Sequence, residues 1–154
     1  MNIYENTDKS NKIIIDKNKK LVNYFNEYLV EFIKRINIIL NDNIYKVDDA
    51  LDIIKNIISI DSVKIINISI IEILPYREYI LKHNYEMLKK IIKNFFINIS
   101  QNEYNKKIIL QFEMFINIFD NLNDQNKMTC DKYIKLLLDI SNKYNENINK
   151  NKTF

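Results

Sequence analysis

Between Leu21 and Leu40 the apolar residues Leu21, Phe25, Tyr28, Phe32, Ile36 and Ile39 recur at spacings of three and four. That spacing follows the 3.6-residue turn, so it predicts an amphipathic helix with Asn23, Asn26, Glu27, Glu31 and Lys34 on the outer face. Asn41-Asp42-Asn43 supplies a turn, because short Asx side chains bond their own backbone and tolerate left-handed conformations. A second helix is predicted over Val47–Ile60. Asp48 and Asp49 suit the positive end of its dipole, and Leu51, Ile54 and Ile58 form its stripe. Asp61 or Ser62 is placed to cap the next element.

That next element, Val63–Leu74, opens the stretch around which the chain is organised, Ser62–Phe96. Val63, Ile66, Ile70 and Ile73 fit a helix, whereas Ile66, Ile68 and Ile70 alternate with Asn67 and Ser69 as in a strand. The helical neighbours, the lack of a second strand to pair with and the absence of glycine for hairpin turns favour the helix. As a helix it is apolar almost all round, which predicts a buried one. Pro75 must end or kink it, and can start a short helix through Tyr76, Tyr79 and Ile80.

Asn84 is placed to cap a further helix with Tyr85, Leu88, Ile92, Phe95 and Ile99 on its inner face. Ser100-Gln101-Asn102-Glu103 has the capping-box pattern and opens a long helix carrying Tyr104, Ile108, Phe112, Phe115, Phe119 and Leu122. Asn121–Asn126 reads as a loop, and Met128–Tyr144 as a last helix on Tyr133, Leu137, Ile140 and Tyr144. Residues 1–20 read as a polar arm with one apolar knot, Ile13-Ile14-Ile15, expected as a short strand, a turn or a frayed end; 145–154 reads as a disordered polar tail. The expected fold is thus all-α: a single compact bundle of about six or seven helices over 21–144. Ile53-Ile54-Lys55-Asn56 recurs as Ile91-Ile92-Lys93-Asn94, so the alternative is a short armadillo- or HEAT-like stack of helix pairs.

Composition adds two things. Ile, Asn and Lys make up about half of the 154 residues, where Leu, Ala and Gly normally lead. Gly and Trp are absent, and Ala50, Pro75, Arg35 and Arg77 are the sole residues of their types. The codons behind that bias point to a very AT-rich genome, so abundant lysine and asparagine say little about function. The formal net charge of +3 is too small to mark a nucleic-acid binder by itself. One cysteine, Cys130, cannot form an intrachain disulfide, and the polar N-terminus lacks a secretory apolar region. The most apolar window, Ile53–Leu74, carries Lys55, Asp61, Lys64 and Glu72, too many charges for a membrane span. The expected location is intracellular and cytoplasmic.

Most chemistry is closed by what the chain lacks. One histidine and one cysteine cannot make a zinc site, and no glycine is available for a phosphate-cradling loop or a nucleophile elbow. Asp120–Asp131 has the length of a calcium loop, but Leu122 takes a ligand position and Gln125 the glycine position. Cys130 with His83 is the one nucleophile–base pair available, and Cys130 reads better as a small packed hydrophobe. An enzyme would need buried carboxylates such as Glu72 or Asp52 in a deep pocket. Three formal glycosylation sequons, at Asn67, Asn98 and Asn151, are expected by chance in so asparagine-rich a chain. No cofactor and no metal are expected.

What stays open is a surface. Tyr76, Arg77, Tyr79, Lys82, His83, Tyr85, Lys89, Lys90 and Lys93 interleave aromatic and basic residues and are the candidate interaction surface. Such a mixture binds phosphates and stacks bases in some proteins, and is a solvated helix face in most. The expected function is therefore a non-enzymatic α-helical protein acting through protein–protein contact, as a structural, scaffolding or host-modulating factor, with a homo-oligomer as one form of partner. Length, helix count and a buried middle helix are similar to a viral Bcl-2-like bundle, although the glycine-centred motif of cellular members cannot be present. The alternative is nucleic-acid association through 76–93, with Lys17, Lys19 and Lys20 able to add to the patch.

Overall fold

A computed structural model describes residues 3–41, 48–84, 86–87, 89–91, 93–94, 113–114 and 116–152. The helices are α1 (Ile3–Asn41), α2 (Asp48–Ile60), α3 (Lys64–Glu72), α4 (Arg77–Leu81) and α5 (Asp124–Asn151). A single 3-10 turn, Leu74–Tyr76, joins α3 to α4, and another, Phe119–Asn121, precedes α5. Further helical residues lie within 86–94 and 113–118, and no strand occurs among the described residues. The molecule is an all-α bundle.

Its spine is the pairing of the first and last helices. Tyr133 Oη donates to Glu31 Oε2 at 3.3 Å, and Phe32 stacks on the Tyr133 ring at 5.6 Å. Thirteen residues back along α1, and fourteen forward along α5, Asn147 Nδ2 donates to Asn18 Oδ1 at 3.0 Å. Steps of matching length in opposite directions define an antiparallel seam about 20 Å long at 1.5 Å per residue. The seam closes where Ile14 lies beside Asn151. A helical-repeat stack would hold its first and last helices apart, so the pairing of α1 with α5 sets the repeat alternative aside.

Around this spine, α2 and α3 close one side. The main core joins Val22, Phe25, Ile33 and Ile36 of α1 with Ala50 and Ile54 of α2, Ile65 and Ile66 of α3, Phe119, and Cys130, Ile140 and Tyr144 of α5. Asn26, buried on α1, donates from Nδ2 to the Ser62 carbonyl at 2.8 Å and ties the α2–α3 corner to the spine. A smaller cluster of Ile80, Ile91 and Leu138 anchors α4 and the helical residues after it onto the opposite side of α5.

The local signals work largely as physics requires. α2 spans Asp48–Ile60. Val63–Leu74 is helical at its centre, Lys64–Glu72, and Pro75 stands at the start of the 3-10 turn, where its missing amide proton costs nothing. Asn84 Oδ1 accepts from the Met87 amide at 3.3 Å. Asn123 Oδ1 accepts from the Asn126 amide at 2.8 Å and caps α5.

Three expectations need correction. Residues 3–20, expected within a polar arm, are part of α1, since nothing in that segment breaks a helix and α5 gives Ile14, Asn18 and Leu21 a partner. Residues 145–151, expected within a polar tail, continue α5 to Asn151 along the same seam. α3 is not buried all round. Ile65, Ile66 and Ser69 face the core, while Ile71 is 68% exposed, because the neighbours of α3 lie on one side of it. On α1 the most buried residues include Val22 and Ile33, with Leu21, Tyr28 and Phe32 only half-buried. Two partners, α5 on one flank and α2–α3 on the other, widen and rotate the core-facing arc. The capping box at Ser100–Glu103, the stripe from Tyr104 to Phe115, and Tyr85, Leu88, Ile92, Phe95 and Ile99 lie outside the described residues.

Candidate interaction surface

α4 is a five-residue helix whose end is built by an unusual residue for the job. The His83 amide bonds the Ile80 carbonyl at 3.1 Å, and the Asn84 amide bonds the Tyr79 carbonyl at 3.0 Å. Those two bonds form a Schellman motif, which needs a left-handed residue between them, usually glycine. A chain without glycine places His83 there, with φ at 53°. The backbone turn then aims the imidazole at α5: His83 Nε2 lies 2.7 Å from Asp131 Oδ1, and the ring packs on Phe119 at 5.3 Å between centroids.

Two ion pairs involve the same segment. Arg77 donates to Asp139 Oδ1 at 2.8 Å, and Lys89 lies 3.6 Å from Glu86 one turn away. Three of the six basic residues in the candidate surface thus face a carboxylate, which lowers the positive charge that a phosphate chain would meet. Lys82, Lys90 and Lys93 are exposed, as are Tyr76 at the end of the 3-10 turn and Tyr79 on α4. Tyr85 lies outside the described residues. The surface is therefore less basic and more aromatic than its composition implies. Asp131, Asp139 and Phe119, which organise it, carry no local sequence signal: the pairs span 48 and 62 residues.

Ile71, at the end of α3, adds to the exposed apolar side chains of Tyr76, Tyr79 and Leu81 just after it. Ile60 and Val63 are exposed on the α2–α3 corner.

Cys130 is fully buried in the main core, and burial, with Asp131 next to it, pushes its thiol up to about 11. It therefore stays protonated at neutral pH, where a nucleophile would need the thiolate. Asp52 is exposed on α2 and Glu72 half-buried on α3. No group of His, Cys, Asp and Glu able to hold a metal ion occurs among the described residues. Nor is any helix among them long and apolar enough to cross a membrane.

A second feature lies at the far end of the spine. There α1 and α5 leave a shallow cleft of about 140 Å³, lined by Ile14, Lys17, Asn147, Lys150 and Asn151.

No known protein family, curated protein or solved structure matches this chain. The functional reading therefore rests on the molecule alone.

Proposed function

We propose that this protein is a non-enzymatic helical interaction module, acting inside a cell, whose partner is another protein docking on the α3–α4 face. The observation that carries the reading is the exposed set Ile71, Tyr76, Tyr79 and Leu81 beside a frame held by Arg77–Asp139 and His83–Asp131. Aromatic residues presented on a fixed frame are the usual energetic centres of protein interfaces, because they bury much area at little entropic cost. The buried Cys130, whose thiol is pushed up to about 11 by burial and by Asp131, supports the non-enzymatic part. A host-modulating bundle from a virus with an AT-rich genome is a narrower form of the same reading. Nucleic-acid association through 76–93 is the weaker alternative, since Arg77, His83 and Lys89 face carboxylates.

The test is affinity capture with the wild-type protein and with a Tyr76→Ser/Tyr79→Ser variant of unchanged far-UV circular dichroism. The expected result is one defined protein, recovered at fixed stoichiometry by the wild type and reduced at least about tenfold by the variant. Equal recovery by both proteins would remove the α3–α4 face from the proposal.

A further inference from the structure

The formal charge of +3 conceals a polarised molecule. Residues 9–20 of α1 hold Lys9, Lys12, Lys17, Lys19 and Lys20 against Asp16; residues 143–152 hold Lys143, Lys150 and Lys152 against Glu146. Eight lysines against two carboxylates give these two segments +6; counted from Ile3, with Glu5 and Asp8, this end carries +4 and the other 126 residues −1. All eight lysines are exposed. In sequence the two lysine groups are more than a hundred residues apart. The antiparallel seam brings them side by side, with Asn147 bonded to Asn18 between them.

The lysines also have a direction. Lys17, Lys20 and Tyr24 are spaced by three and four on α1, and so share one face. Lys143, Asn147 and Lys150 do the same on α5. Lys17 and Lys150 line the cleft together with the amides of Asn147 and Asn151. Tyr24, half-exposed, stands two turns along α1 from Lys17 with its ring open to solvent. The cleft of about 140 Å³ has room for a phosphate group and too little for a duplex.

We propose that this lysine-walled cleft between α1 and α5 binds the phosphate backbone of single-stranded nucleic acid, with Tyr24 as a stacking platform for a base. A basic groove with an aromatic beside it is the arrangement that single-strand binders use, and it needs no sequence-reading contacts. An anionic membrane fits less well. The exposed isoleucines of this end, Ile13 and Ile15, are two residues apart and point to different sides of α1, so they make no single face to lie on a bilayer. The site is distinct from the α3–α4 face, and either proposal can fail without the other.

The experiment is fluorescence anisotropy with the full chain and labelled oligo-dT and oligo-U of about 12 nucleotides. Neutralising about four phosphates predicts a slope of log K against log salt near −3, so affinity falls roughly 50-fold between about 50 and 200 mM salt. Lys17→Gln/Lys20→Gln/Lys143→Gln should weaken binding at least about tenfold at low salt and bring the slope to about −1. Lys82→Gln/Lys90→Gln/Lys93→Gln, which removes as many charges from the α4 side, should change it less than about twofold. Tyr24→Ala should cost at least about fivefold. The salt slope is read on the unmodified protein, so the proposal stays testable even if a variant fails to fold. No binding at 50 mM salt would overturn it. So would equal losses in the two triple variants, a duplex of the same length binding as tightly as the strand, or phosphatidylserine-rich vesicles binding where the oligonucleotides do not.

Discussion

Asn18 and Asn147 lie 129 residues apart and meet side chain to side chain at 3.0 Å across the α1–α5 seam. Each comes from a segment whose composition alone looks dispensable. Their contact shows why both segments are helical: each end supplies the surface against which the other is ordered, as tertiary packing commonly does for helices of modest intrinsic stability.

Truncation tests that dependence. Ending the chain at Tyr144 removes Asn147 and the half-buried Ile148, which packs against the core. One hydrogen bond and one half-buried isoleucine together predict a loss of about 2 kcal/mol in urea unfolding. A truly disordered tail would leave the midpoint where it was.

The one-sided burial of α3 makes two adjacent-looking isoleucines behave differently. Ile66 is fully buried and Ile71 mostly exposed. Ile66→Ala should destabilise the protein by about 3 kcal/mol through lost transfer energy and a cavity, while Ile71→Ala should stay within about 0.5 kcal/mol. Thermal or urea denaturation of the two variants decides it, and similar losses would mean that α3 is buried all round.

Cys130 predicts alkaline instability. Its thiol sits at about 11 in the folded protein, raised first by burial and then by Asp131, against a reference value of 9.0. A raised value means that the folded state favours the proton, so the contribution is complete below about pH 9 and is lost as pH climbs towards 11. Two pH units correspond to a loss of about 2–3 kcal/mol. Burial also raises Tyr144 from its reference value of 10.0, which acts in the same direction. Unfolding midpoints at pH 8 and pH 10.5 should diverge in the wild type and lie closer together in Cys130→Ala, with Tyr144 leaving a residual difference. A thiol reagent should modify Cys130 only in denaturant.

His83 separates backbone from side chain. Its φ of 53° is tolerated by asparagine and resisted by β-branched residues. His83→Asn and His83→Val both lose the Asp131 contact, so their difference isolates the backbone term. The valine variant should be less stable by about 1–2 kcal/mol. Equal stability would show that the left-handed turn opens freely.

The parts of this fold that are legible in the sequence are those set by neighbours within a turn or two. The stripe from Phe25 to Ile39, the break at Pro75 and the cap at Asn84 follow from such short-range chemistry, whereas the cap at Asn123 starts α5 inside a segment that reads as a loop. The helical extent of 3–20 and 145–151 depends on a seam between distant segments, so polarity there reads as disorder. The candidate surface shows the same divide. Tyr76 and Tyr79 can be picked out as exposed aromatics, but the carboxylates opposite Arg77 and His83 come from α5 and have no signature near either residue. The lysines of α5 likewise gain meaning only once the antiparallel register sets them beside Lys17 and Lys20.

That register also constrains the order of events during synthesis. Ribosomes deliver chains at about 5–20 residues per second, so Asn18 is made seconds to tens of seconds before Asn147. Until then the apolar stripe of α1, with Phe25, Ile33 and Ile36, has no α5 to cover it. Until Cys130–Tyr144 emerge only α2 and α3 can cover that stripe, so slow translation prolongs exposure of the flank that α5 takes.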